Sequence, residues 1–113
     1  MSEFLTHMIL SIPPDLPDYD NAVQKLLDQE AEAARRYLDE GSFTRVWREP
    51  GTRNHWALWT APDADFIHRA YASFPLFRYM QVEVHALALN TNDPPTRRAR
   101  EAEAFHRASH GGH

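Results

Sequence analysis

The chain contains no cysteine. That excludes disulfide bonds, a thiol nucleophile and any cysteine-ligated metal centre. It contains one lysine, Lys25, against eleven arginines, so Schiff-base chemistry has only Lys25 or the terminal amine to use. Gly41 and Gly51 stand alone, and neither belongs to a phosphate-binding loop, so no nucleotide cofactor is expected. Serine is scarce, and no Ser-His-Asp set can be placed. Basic charge is also short: the formal net charge of −4 leaves no electrostatic footprint for nucleic acid. No run approaches the roughly 18 apolar residues of a membrane span, and the N-terminus has no basic segment followed by an apolar one. Neither nucleic acid nor membrane is expected as a partner, and a cytoplasmic location is. With 113 residues, 42% of them hydrophobic, the chain can build one domain with a small core, to which burial between subunits would add stability.

What is present reads as alternating strands and helices. Phe4 to Ile12 is a predicted strand. Pro13-Pro14-Asp15-Leu16-Pro17 is a rigid connector, because three prolines exclude both helix interior and strand ladder. Asp18 or Asp20 is placed to cap a helix that runs to about Glu40 and stops at Gly41. Phe43 to Arg48 is a second strand, Glu49-Pro50-Gly51-Thr52 a turn, and Asn54 to Thr60 a third strand. Pro62 and Asp63 open a second helix through about Ser73, which Pro75 ends, and Met80 to Leu89 is the last strand. The order β-α-β-β-α-β predicts an α+β, ferredoxin-like fold, an antiparallel four-stranded sheet with both helices on one face. A second subunit is expected to cover the other face, making the protein a homodimer or higher homo-oligomer. Asn92-Asp93-Pro94-Pro95 marks the end of the domain at residue 93. Residues 94–113 form a tail with four arginines and two glutamates, predicted to be a short helix over 96–109.

The first helix carries the sharpest chemical signal. Its apolar stripe runs Val23, Leu27, Ala34, Tyr37, and Glu30 falls on that stripe. Burial disfavours the charged form of a carboxylate and raises its pKa, which suits a group that must take and return a proton near neutrality. Tyr37, two turns on, is a candidate to polarise a ligand carbonyl. On the second strand, simple alternation puts Phe43, Arg45 and Trp47 on one face and Thr44, Val46 and Arg48 on the other. Arg45 or Arg48 would bind a carboxylate or a developing enolate, or form a salt bridge with Glu83. Trp56, Trp59, Tyr71, Phe74, Phe77 and Tyr79 make an aromatic set suited to a core, a subunit interface or the wall of a site for a flat, unsaturated ligand. His7, His55 and His85 each sit on a predicted strand, where a histidine can shuttle protons. They lack close ligand spacing, and the i, i+4 pair His106 and His110, followed by His113, has charged flanks, so no metal is expected.

The stretch Ser73-Phe74-Pro75-Leu76-Phe77-Arg78-Tyr79-Met80-Gln81-Val82-Glu83-Val84 puts three rings and a methionine in a turn that would ordinarily be polar. It resembles the helix-to-last-strand junction of the muconolactone delta-isomerase family, whose pattern is close to LPLFPYM-x-IEV. Gly41-Ser42-Phe43-Thr44-Arg45-Val46-Trp47-Arg48 is similar to a second family pattern, G-x-W-x-x-LWR, and Ile12-Pro13 ends the first strand where the family has Leu-Pro. The resemblance covers roughly residues 4–93. It implies homo-oligomers of ferredoxin-like subunits, assembled as dimeric α+β barrels, and cofactor-free transfer of one proton within an unsaturated lactone of aromatic catabolism. It also implies a catalytic glutamate at Glu30. Family members commonly follow that glutamate with a lysine; this chain has Ala31, which removes one cation from the expected carboxylate site. The combined reading is an isomerase of a small unsaturated lactone or related carbonyl compound. Glu30, Tyr37 and Arg48 would be catalytic, and Arg45, Trp47, Trp56, Phe74, Phe77, Tyr79 and His7 would line the substrate. Two other classes fit the scaffold: a cofactor-free monooxygenase or cyclase, and a non-catalytic ligand-binding module.

Overall fold

The structure, a computed structural model, describes residues 1–111, with side chains through His106. Its elements are β1 (Ser2–Leu10), α1 (Tyr19–Glu40), β2 (Phe43–Arg48), β3 (His55–Ala61), α2 (Ala64–Ala72), a 3-10 turn (Phe77–Tyr79), β4 (Met80–Leu87) and α3 (Pro94–Gly111). The strands form one antiparallel sheet in the order β2-β3-β1-β4. This is the expected ferredoxin-like α+β arrangement. Among the described residues no helix is long and apolar enough to cross a membrane.

Side-chain alternation fixes the two sheet faces. Phe4, Thr6 and Met8 on β1 share a buried face with Ala57, Trp59 and Ala61 on β3. Ile67, Ala70 and Tyr71 of α2, Val23 and Tyr37 of α1, and Phe74 and Leu76 after α2 are buried with them. Aromatic rings meet edge to face here, as their quadrupoles favour: Tyr37 lies 5.7 Å from Trp59 and 5.8 Å from Phe74, and Phe43 lies 4.8 Å from Trp59.

Both helices start and stop for local reasons. Asp63 accepts a hydrogen bond from the Phe66 amide at 2.9 Å, capping α2. Asp18 precedes α1 without capping it through its side chain; its φ is 52°, and its carboxylate receives Asn21. α1 ends at Gly41, whose φ of 79° belongs to the left-handed region and whose amide bonds back to Leu38. A side chain at Gly41 would meet no atom within 4 Å. Gly41→Ala is therefore expected to cost only the conformational penalty, about 1 kcal/mol, measured as a shift of the urea midpoint.

Strand β2 departs from simple alternation. Phe43 pairs with Trp59, but Arg45 pairs with Leu58, so two residues of β2 advance against one of β3. Thr44 is the extra residue, and its hydroxyl donates to the Leu58 carbonyl at 2.9 Å. The bulge turns Phe43 into the core, while Arg45 and Trp47 point to the open face. The expectation that Phe43, Arg45 and Trp47 share a face is corrected: only Arg45 and Trp47 do, and Val46 and Arg48 lie on the helix side. A salt bridge from either arginine to Glu83 is also ruled out, because β2 and β4 are opposite edges of the sheet.

The tail forms α3, longer than the predicted 96–109. Phe105 is 76% exposed. Of the tail histidines His106, His110 and His113, the side chain of His110 and the whole of His113 lie outside the described residues.

Candidate active site

Glu30 sits where the stripe on α1 puts it, half-buried between α1 and the segment that follows α2. Its Oε2 accepts the Leu76 amide at 3.1 Å, a contact made possible because the turn after Pro75 brings that N–H toward α1. Burial raises the Glu30 pKa, and the Leu76 hydrogen bond opposes the rise only partly. No arginine or lysine pairs with Glu30 among the described residues. A carboxylate in this state ionises late and reprotonates readily, which is the property a proton-shifting group needs.

Tyr71, from α2, is electrostatically coupled to Glu30. Burial pushes its phenol up, the hydrogen bond to Thr6 works against that, and the nearby Glu30 charge adds to the rise. The Tyr71 hydroxyl lies 2.7 Å from Thr6 Oγ1 and 2.9 Å from His55 Nε2. Trp59 Nε1 donates to the same Thr6 oxygen at 3.2 Å. Four polar groups from β1, β3 and α2 thus satisfy one another inside an aromatic core. Burial, then the charge of His7, lowers the His55 pKa from 6.5 to about 4, so the ring is neutral in the folded protein at neutral pH. The unfolded chain then binds more protons than the folded one between these two values. Stability is full above about pH 6.5 and is lost as pH falls toward 4. His55→Gln is expected to flatten that acid slope in urea melts at pH 7 and pH 4.5.

The other expected residues distribute unevenly. Tyr37 is in the core, ringed by Trp59, Phe66 and Phe74. Its hydroxyl has no protein partner among the described residues, and since no buried polar atom lacks one, that hydroxyl reaches solvent. Phe74 is buried beside Tyr37 and Tyr71, whereas Phe77 is 44% exposed and Tyr79 lies half-buried beside Arg78. Arg45 lies over the Trp47 ring at 5.0 Å, and Arg48 donates to the Thr52 carbonyl; both are exposed. His7 and Trp56 are on the open face of the sheet, opposite the helices. The structure therefore groups Glu30 with Tyr71 and the aromatic core, and separates it from His7, Trp47 and Trp56.

A cleft of about 720 Å³ opens at the end of β1, lined by Ile9, Leu10, Tyr19, Arg53 and Asn54 among others. Its size suits a small molecule, but Glu30 does not line it; burial and hydrogen bonding, not cleft size, single out Glu30. Among the described residues no three His, Asp or Glu side chains gather as metal ligands. His55 faces the helices while His7 and His85 face away. Sequence reasoning missed the polar roles of Thr6 and Tyr71. The alternation Phe4, Thr6, Met8 already marks Thr6 as inward-facing, and that was the available signal.

Comparison with known proteins converges on one family. The family model described as Muconolactone delta-isomerase matches residues 2–93. The Muconolactone Delta-isomerase of Pseudomonas aeruginosa is 30% identical over 84 residues, covering 74% of this chain and 85% of that protein. The Rhodococcus opacus enzyme of the same name is 28% identical over 97 residues, covering 82% and 98%. A crystal structure of muconolactone isomerase aligns with a TM-score of 0.71 at 26% identity, covering 81% of this chain and 94% of that one.

Proposed function

We propose that this chain, which belongs to the muconolactone delta-isomerase family, is a cofactor-independent isomerase that moves a proton, and with it a double bond, in a small unsaturated lactone or related carbonyl compound. The observation that carries the reading is Glu30, a half-buried carboxylate held by one amide and by no cation among the described residues, with its pKa raised. In its ionised form Glu30 takes the proton from the carbon at the far end of the conjugated carbon–carbon double bond. The electrons move through the conjugated system to give an enolate, and the resulting acid returns a proton at the carbon next to the carbonyl, so the double bond leaves conjugation. Tyr71 is buried with its hydroxyl held by Thr6 and His55, so Tyr37, whose hydroxyl reaches solvent, is the better placed of the two to hydrogen-bond the enolate oxygen. Arg48 and Arg45 are exposed on an edge strand and would meet the substrate in a site shared with a neighbouring copy. The enzyme would work as a homo-oligomer in the cytoplasm.

Ala31 stands where the family resemblance leads one to expect lysine. A substrate without a carboxylate at that point, or a larger unsaturated carbonyl compound, fits this chain better than muconolactone itself. The test is ultraviolet absorbance of the purified protein with muconolactone and a series of larger unsaturated lactones. Loss of the starting conjugation without oxygen uptake, fastest for a lactone lacking the free carboxylate, is the expected result. Oxygen uptake would point instead to the monooxygenase, and no change with any lactone would overturn the isomerase.

A further inference from the structure

Strand β1 outruns β3. The ladder between them ends where Met8 pairs with His55, whereas β1 stays paired with β4 as far as Leu10. Past Met8, β1 and the turn that leads into β3 part, and the cleft of about 720 Å³ lies between them. It belongs to the end of the sheet, not to the open face that a second copy is expected to cover. Leu10 packs against the core beneath the helices, and Tyr19 is the first residue of α1. Of the two β1 residues in the wall, Ile9 alone points to the open face.

The wall is held in place, because the turn between β2 and β3 is tied to itself and to β1. The Glu49 amide donates to the Asn54 carbonyl at 3.0 Å. The Thr52 hydroxyl donates to the Glu49 carbonyl at 3.0 Å and accepts from the Asn54 amide at 3.1 Å. Asn54 Oδ1 accepts the Leu10 amide at 2.9 Å, which satisfies a strand donor that the β3 ladder no longer reaches.

The polar lining of this cleft is one-sided. Arg53 makes no ion pair among the described residues. No Asp or Glu lines the cleft. The acid nearest to Arg53 in sequence, Glu49, has its carboxylate engaged by His7, Trp56 and Asn54. A second arginine, Arg48, reaches the rim and donates to the Thr52 carbonyl at 3.3 Å. The Tyr19 hydroxyl has no protein partner among the described residues, and since no buried polar atom lacks one, it reaches solvent. The side chains of Ile9, Leu10 and Ile12 make the rest of the wall apolar. The result is a positive, donor-bearing end on an apolar hollow, in a chain whose net charge is −4.

We propose that this cleft binds a small carboxylic acid with a one- or two-ring apolar body. The carboxylate meets the Arg53 guanidinium, whose parallel N–H groups match two carboxylate oxygens, with the Tyr19 hydroxyl as a further donor. The rings lie on Ile9, Leu10 and Ile12, in a volume of the size that small-molecule sites have. No bond forms or breaks. Tyr19 and Glu30 stand about 16 Å apart along the axis of α1, so the site goes beyond the Glu30 reading and does not depend on it.

The chain has three isoleucines, and they supply the test. Ile9 and Ile12 line the cleft, and Ile67 is buried in the core. Isotope labelling of the isoleucine methyl groups in the full-length protein gives an NMR spectrum simple enough to read in an oligomer. Titration with 2-naphthoate at neutral pH is expected to shift the Ile9 and Ile12 signals saturably and to leave Ile67 in place. Arg53→Gln should weaken binding at least about tenfold, the loss typical of a charge-assisted hydrogen bond. It should not move the urea midpoint, because Arg53 is exposed and pairs with no acid. The neutral amide, 2-naphthamide, should bind the unaltered protein at least about tenfold more weakly than the acid. Glu30→Gln should leave the titration unchanged, which separates this site from the proposed isomerase site. Equal binding of acid and amide would overturn the proposal, as would equal binding of the acid by Arg53→Gln and the unaltered protein. Shifts at Ile67 as large as those in the cleft, or no shift at any isoleucine, would overturn it as well. Ile9 and Ile12 signals that move only on dilution would assign the cleft to contact between copies of the chain and overturn it too.

Discussion

Glu30→Gln is expected to reduce kcat for the proton shift by about 10²- to 10⁴-fold, the range for removal of a positioned acid–base group, and to make the protein more stable at pH values where Glu30 is ionised. Both effects have one cause. Burial raises the Glu30 pKa above 4.5, so between 4.5 and the folded value the folded state binds more protons than the unfolded one. Stability from this group is present below that window and falls as pH rises through it. Above that window the enzyme holds a charge that its surroundings disfavour. Glutamine removes the charge while its carbonyl oxygen can still accept the Leu76 amide. The same shift sets the pH profile: a base must be ionised, so kcat/KM should rise with pH through the raised Glu30 value. The checks are initial rates across pH and urea melts of both proteins. A variant that is both inactive and less stable would indicate a structural role for Glu30, not a catalytic one.

Thr6→Val is expected to destabilise the protein by about 2–4 kcal/mol although it conserves shape. Thr6 is 0% exposed, and its one hydroxyl accepts from Trp59 and bonds Tyr71. Removing it leaves the buried indole N–H without its partner, and a buried unsatisfied donor costs about 1–3 kcal/mol. The Tyr71 bond is lost as well, though Tyr71 keeps His55. Thr6→Ser retains the hydroxyl and loses a methyl group, which costs about 1 kcal/mol. Urea midpoints with unchanged slopes would measure the difference. Equal losses for Val and Ser would show that packing, not hydrogen bonding, governs this site.

The sequence revealed most where the signal is local. The periodic stripe on α1 located Glu30, Gly41 ended the helix, and the prolines at 13, 14 and 17 fixed the connector. The bulge at Thr44 was not legible, because it arises from the register between β2 and β3 and no glycine marks it. Once Thr44 drops out of alternation, Phe43 and Trp47 part company, and Arg45 and Arg48, on opposite faces of the edge strand, are both exposed. The Glu49 contact with His7 was hidden for a similar reason: it joins a turn to a strand 42 residues away in the chain. Tyr71 was visible as an aromatic residue of a buried helix face, but its polar partners come from two other strands. The aromatic turn after Pro75 was legible as a feature that must pack on something. Its contribution to the site is a backbone amide, Leu76, which no side-chain pattern announces.

The central claim is that Glu30 carries the proton. The most direct measurement is deuterium uptake from heavy water into an unsaturated lactone, muconolactone first, followed by NMR with the unaltered protein and with Glu30→Gln. Incorporation next to the carbonyl and at the far carbon of the shifted double bond, falling to background in the variant, is the expected result. Incorporation that continues unchanged in Glu30→Gln would contradict the claim and move the base to another residue.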